Sequence, residues 1–287
     1  MKSRISFVVF LTIALMFLSA SAFAATERVV YPQAVVGPIG DESFDIELFL
    51  GNRNSEENWN GVIRLLESDQ LAGFSGVNLI DEDGKQTSVT SGEHSVSIPA
   101  GRSRYYRIKS TTLQVGVMAI ESDTSSIDDL VASFFYKLLD QTGTVIDVIG
   151  IVGVREAATG FRVMITDTGT SNVGVAMVSA AGVGQGAGPA AVEQIDVTFT
   201  AILLDGTELS GTVSLGGSEA GHKALFPFQV IPNFPTGVPI AQLKIRCTQK
   251  VYVTTLAIVT PGESQETSVC ATLGRPQPFS KRPSYAG

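Results

Sequence analysis

Apolar residues along this chain recur mostly at every second position, in short runs broken by Gly, Asp, Asn and Pro. Period two is the signature of a half-buried strand, and runs spaced about 8–12 residues apart are that of a sandwich or barrel. The pattern predicts strands at 28–36, 44–51, 61–67, 77–80, 94–98, 103–109, 113–120, 130–139 and 144–152. It continues with 160–165, 173–178, 194–204, 208–215, 222–228, 240–247, 251–259 and 267–273. Helical spacing is scarce. The stretch "SIDDLVASFFYKLLD" has a Ser cap and two acids fit for a helix start. Its continuation, however, is two apolar runs flanking Asp140-Gln141-Thr142-Gly143, which reads as a hairpin, and the hairpin is preferred.

The order of elements repeats. "SFDIELFLGNRN", "GVIRLLESDQ", "DEDGK", "IPAGRSRYYRIKS" and "LQVGVMAIES" run in the first half. "SNVGVAMVSAAG", "QIDVTFTAILLDGTEL", "EAGHKALFPFQV" and "AQLKIRCTQKVYVTTLAIVT" run in the second. Each half reads as strand, loop, strand, Asp-Gly turn, Gly-led strand and terminal strands, at low identity. The expected fold is all-β, with two Ig-like β-sandwich modules in tandem. Residues 25–152 form the first, residues 153–274 the second, and residues 275–287 a flexible Pro-rich tail. Arg102 and His222 then occupy corresponding positions, so His222 reads as an ordinary edge or turn-side residue. Phe226 and Phe228 share a face and are expected in the core.

Residues 1–24 are set apart from the fold. Lys2 and Arg4, an apolar run from Ile5 to Leu18, and Ala22-Phe23-Ala24 make a cleaved signal peptide. The run is too short for a span, and no lipid-accepting Cys follows the cut. Losing Lys2 and Arg4 takes the formal charge from −8 to −10. An acidic chain without a basic stripe argues against nucleic acid and anionic lipid. The mature chain is expected to be secreted, periplasmic or at the cell surface, without a membrane span. An oxidising compartment favours a structural disulfide between Cys247 and Cys270, the other reading being two buried free thiols.

The second half, in "GFRVMITDTGTSNVGVAMVSA", "VTFTAILLDGTEL" and "GHKALFPFQVIPNFPTGVPIAQLKIRCTQKVYVTTLAIV", resembles a secreted bacterial tandem β-sandwich repeat family of unassigned function. Val173–Val178, Asp205–Thr207, Gly221–Phe226, Val251, Val253 and Leu256 carry the likeness. "YPQAVVG", "IELFLGNRN", "IPAG" and "LQVGVMAI" resemble the partner module. The long Gly/Ala loop at 180–191 and "GNRN" in place of an Asn-Pro depart from it. The resemblance implies a fold and an exported location, with no catalytic residues to carry over.

Motifs for chemistry lack their context. "GGSEAG" precedes a strand, whereas a nucleophile elbow needs strand-turn-helix. "GVGQGAG" has neither the third Gly of a dinucleotide fingerprint nor the Lys-Ser/Thr of a phosphate loop. "DEDG" begins like a calcium loop but has Gly92 where the twelfth-position Glu belongs, so it reads as a hairpin turn. His94 and His222 lie in different halves. No catalytic, cofactor-binding or metal site is assigned, and no cofactor is expected. Ligand contacts are placed in the loops, at Asn58, Trp59, Asn60 and Gln185. Tyr105 and Tyr106 point to opposite faces, so one belongs to the core. The leading functional expectation is a non-enzymatic exported protein with a structural or adhesive role. Its alternatives are a carbohydrate- or protein-binding module, with a polysaccharide or protein partner, and a periplasmic Ig-like chaperone.

Overall fold

The computed structural model describes residues 27–69, 71–123, 125–164, 171–184, 193–234, 240–259, 269–272 and 275–276. The chain is all-β, with two sheets. The first sheet holds β1 (Arg28–Ile39), β2 (Glu42–Asn52), β3 (Trp59–Glu67), β4 (Val77–Asp81), β5 (Gln86–Val89), β6 (Glu93–Ile98), β7 (Ser103–Ser110), β8 (Gln114–Ser122), β9 (Leu130–Leu139) and β10 (Val145–Ile151). The second holds β11 (Ala158–Met164), β12 (Ser171–Ser179), β13 (Ile195–Leu203), β14 (Glu208–Leu215), β15 (His222–Leu225), β16 (Ile240–Val259), β17 (Val269–Thr272) and β18 (Arg275–Pro276). All pairings among the described strands are antiparallel, and both sheets fold back on themselves, which fits a β-sandwich.

One strand closes each sheet. In β1, Arg28–Val36 pairs with β8, while Gly37–Ile39 pairs with β2. Two local features allow that transfer. The register slips between Tyr31 and Ala34, where Pro32 cannot donate to a ladder. Gly37 then takes φ +104°, and a Cβ there would lie 2.2 Å from the Thr112 carbonyl oxygen. In the second sheet β16 has the equivalent job. Its first half pairs with β11 and β13, and its second half with β12 and β17. The sequence pattern places two strands there. The structure makes one, because Thr248-Gln249-Lys250 contains no Gly or Pro to break it. Instead Thr248 Oγ1 accepts from Asp196 N at 3.0 Å and Gln249 Nε2 donates to Glu193 at 2.8 Å.

The turns use the expected chemistry. Asp140 Oδ1 accepts from the backbone of Thr142 and Thr144 at 2.8 and 2.9 Å, and Gly143 takes φ +82°. Asp81 Oδ1 organises the "DEDG" hairpin in the same way, through Asp83 N and Lys85 N. Ser126 caps a short 3-10 turn at Ile127–Asp129, after which β9 runs as a strand. Other expectations need correction. β5 and β18 were not anticipated, and Arg275–Pro276 pairs with β11 rather than starting a free tail. β15 ends at Leu225, and Pro227–Gln229 forms a 3-10 turn. Phe228 is therefore 48% exposed and stacks on Phe226 at 5.3 Å, outside the core. Proline at 227 has no N–H to continue the β12 ladder.

The sheets meet across a buried junction. Val30, Leu66, Val117 and Ala119, on the outward face of β1, β3 and β8, pack with Val178, Tyr252 and Val183. Val183 comes from a four-residue helix, α1 (Ala180–Val183), at the start of the Gly/Ala loop. Val30 and Val154 exchange backbone hydrogen bonds of 2.8 and 2.7 Å, tying the connecting segment to β1. Beside them Glu121 bridges Arg28 at 3.3 Å and Arg64 at 2.9 Å.

His222 opens the edge strand β15 beside the preceding turn, as expected, but at 2% exposed it belongs to this junction and is no ordinary edge site. It stands opposite Val178, so it shares the face that the first sheet covers. Ser68 Oγ lies 2.9 Å from both the Val115 carbonyl and His222 Nδ1. A hydroxyl has one proton; given to Val115, it leaves a lone pair to accept from Nδ1–H. Burial drives the imidazole pKa down to about 4, offset only in part by the Pro32 backbone.

The Cys247–Cys270 bridge is not formed. Cys247 is a free thiol whose pKa burial pushes up to about 12. Cys270 pairs with Ala257, ten positions further along β16, whereas Cys247 pairs with Val197. Ten residues of strand span roughly 33 Å, and a disulfide needs Cα atoms within about 7 Å.

Two measurements follow. Denaturing, non-reducing thiol labelling should modify two cysteines per chain; none modified would establish a bridge. Stability should fall as pH drops from the ordinary histidine value of 6.5 to the folded value of about 4, because the unfolded chain binds the proton first. The loss attributable to His222 is on the order of 3 kcal/mol. In His222→Gln the urea midpoint should depend less on pH over that window; an unchanged dependence would show that His222 does not titrate this way.

Candidate functional site

Alternation along β2 buries Ile46, Leu48 and Leu50 and turns Asp45, Glu47 and Phe49 outward. Their neighbours on β7 and β9 follow by register. Phe49 lies between Tyr105 and Ser133, Glu47 between Arg107 and Phe135, and Asp45 opposite Lys137. The open face of the first sheet therefore carries aromatic and charged side chains in adjacent rows.

The aromatic rows form one cluster. Phe49 is 44% exposed, with its ring centroid 4.8 Å from Tyr105 and 6.1 Å from Phe135. Offset and edge-on arrangements at these distances are favourable beyond simple area burial. Gly51 and Gly150 lie on the same face beside the cluster. A Cβ at Gly150 would stand 3.5 Å from the Phe135 ring, so glycine keeps the ring edge uncovered. Val131, opposite Gly51 and 49% exposed, extends the apolar strip.

The surrounding charges are matched. Glu47 accepts from Tyr105 Oη at 2.8 Å and pairs with Lys137. Burial, then this carboxylate, pushes the Tyr105 phenol up to about 12. Asp45 Oδ2 accepts from Arg107 Nε at 2.9 Å and Nη2 at 2.6 Å, with Lys109 3.6 Å away. Arg104 pairs with Glu82 at the rim. Opposite charges facing each other across strands contribute about 0.2–1 kcal/mol each to the sheet. Here they also hold polar groups rigidly around an exposed apolar centre. The face thus has the makeup of a ligand platform: rings to stack on and fixed donors and acceptors beside them. Tyr106, by contrast, is 7% exposed and inward, so the two tyrosines divide as their alternation requires.

The sequence-derived loop residues behave differently. Trp59 is 1% exposed and lies in the core, with its ring where a Gly61 Cβ would be, 2.3 Å from Cη2. β3 starts at Trp59 and not at Gly61, so alternation places Trp59 with Ile63 and Leu65. Carrying the pattern of "WNGVIRL" back by two residues would have revealed this. Asn58 is exposed, but its Oδ1 accepts from Ala100 N at 3.3 Å. Asn60 uses its backbone N–H and carbonyl on Ser125 Oγ and Asp123 N, both at 3.2 Å. Asn52 braces the same loop by donating to the Glu57 and Ile98 carbonyls at 2.8 and 3.2 Å. Gln185 lies outside the described residues. Phe49 and Phe135, which complete the cluster, were missed because each sits in an apolar run that reads as core. The signal was an acid two places before Phe49 and a lysine two places after Phe135, on the same strand face.

Among the described residues, no three His, Cys, Asp or Glu side chains gather as a metal site. No described helix is long and apolar enough to cross a membrane. No protein-family model, curated protein or solved structure matches the chain.

Proposed function

We propose that this is an exported, non-enzymatic adhesive protein built of two tandem Ig-like sandwich modules. It holds a cell-surface or extracellular polysaccharide on the open face of its first sheet. The exposed Phe49, packed on half-buried Tyr105 and Phe135 amid matched charges, carries this reading. Sugar rings present apolar C–H faces that stack on aromatic rings and hydroxyls that bond to ordered carboxylates and guanidinium groups. Because the cations already face carboxylates, the site suits a hydroxyl-rich ligand better than a strongly charged one. The segment 1–24, with its basic start, apolar run and Ala-Phe-Ala end, supports export.

The test is a glycan array on the chain beginning at Ala25, followed by calorimetry with the best polysaccharide. Phe49→Ala should weaken binding by about tenfold, the scale of one lost stacking partner, with little change in melting temperature. Asn58→Ala should bind as the parent does, which separates the sheet face from the loop. An array without a bound glycan, or affinity indifferent to Phe49→Ala, would overturn the proposal.

A further inference from the structure

The chain is acidic and its sequence has no basic stripe, yet the second sheet gathers cations on its outer face. Strand order there is β14-β13-β16-β11-β18. Alternation sends Phe161, Val163, Phe199, Leu243 and Ile245 into the second core. It therefore turns Arg162, Thr198, Thr200, Lys244 and Arg246 outward. Register aligns these in two neighbouring rows. Ser210, Thr200, Lys244 and Arg162 stand side by side in one, and Thr212, Thr198 and Arg246 in the next. Arg275 of β18 stands opposite Arg162. Arg162, Arg246, Ser210 and Thr212 are exposed, so the face is open.

Two features of the rows select an anion that carries hydroxyl-like oxygens. Lys244 lies directly opposite Arg162, and like charges facing each other across strands destabilise a sheet. Glu208 answers Lys244 at 3.0 Å, but among the described residues Arg162 makes no ion pair. An anion above the sheet offsets this repulsion. Beside the cations, Thr200 Oγ1 lies 2.9 Å from Ser210 Oγ, and Thr198 Oγ1 lies 3.4 Å from Thr212 Oγ1. Each pair uses one hydroxyl proton between its members and leaves the other for an acceptor. None of the exposed large apolar side chains among the described residues stands in these rows. The face thus offers no wedge for a lipid surface and no ring for a nucleobase to stack on.

We propose that this face binds an acidic polysaccharide. Its carboxylates meet Arg162, Lys244 and Arg246 in charge-assisted hydrogen bonds, and its hydroxyl and ring oxygens accept from the threonine and serine hydroxyls. The site lies on a different sheet from the aromatic platform and does not rest on that reading.

The probe is polygalacturonate, titrated by calorimetry into the chain beginning at Ala25, with neutral dextran as the control. Polygalacturonate should bind at low ionic strength and weaken steeply as salt is raised, whereas dextran should not bind. Arg162→Gln combined with Arg246→Gln should weaken binding roughly tenfold or more and flatten its salt dependence. Arg162→Gln alone should leave the melting temperature unchanged or raised, because it removes a like-charge pair. Phe49→Ala should bind polygalacturonate as the parent does, which separates this face from the first sheet. Absence of binding at low ionic strength, equal binding of dextran, or unchanged affinity in the double variant would overturn the proposal. So would a melting temperature lowered by Arg162→Gln, loss of binding in Phe49→Ala, or equal binding of phosphatidylglycerol vesicles or single-stranded DNA.

Discussion

The arrangement of the two sheets depends on one constraint, the burial of an outward face of the first sheet beneath the second. Val30, Val117 and Ala119 alternate with residues of the first core, so β1 and β8 are apolar on both faces. A strand apolar on both faces needs cover on both, and Val178, Val183 and Tyr252 supply the second cover. Polar groups at the seam must then be matched locally, as they are at Glu121 with its two arginines. His222 remains neutral there because burial disfavours the charged imidazolium.

The opposite face of the molecule has the contrary logic. The outward rows of β2, β7 and β9 hold Asp45, Glu47, Phe49, Tyr105, Arg107, Phe135 and Lys137 among small residues, and no other strand among the described residues packs over them. Asp45 is nevertheless 5% exposed, because Arg107 and Lys109 lie over it. Phe49 stays 44% exposed because its flanking positions are Gly51 and Ser133, too small to shield it. An aromatic ring left uncovered among well-packed ion pairs is what distinguishes this face from an ordinary solvated sheet.

Much of the strand pattern was legible. β9 and β14 lie where period two put them, and most others differ by one or two residues at their ends. The turns at 140–143 and 205–206 adopt the geometry their Asp and Gly residues favour. What failed did so for identifiable reasons. β5, "QTSV", is too short and polar to show a period. β16 reads as two strands because pairing partners change at its midpoint while the backbone does not turn. Trp59 looked like a loop aromatic because the strand start was set two residues late. The disulfide rested on compartment alone, and pairing register carries Cys270 far along β16 from Cys247.

By itself the sequence determined the all-β class, the positions of most strands and the chemistry of the turns, because these depend on residues close together in the chain. It also determined that Tyr105 and Tyr106 lie on opposite faces, since alternation is local. Only the tertiary structure decided which faces meet. Phe49, Tyr105 and Phe135 become one cluster through register across three strands. His222 and Ser68, separated by 154 positions, become partners through the packing of two sheets. Such pairings follow from which apolar surfaces cover one another, and that choice is made by the whole chain, not by any segment of it.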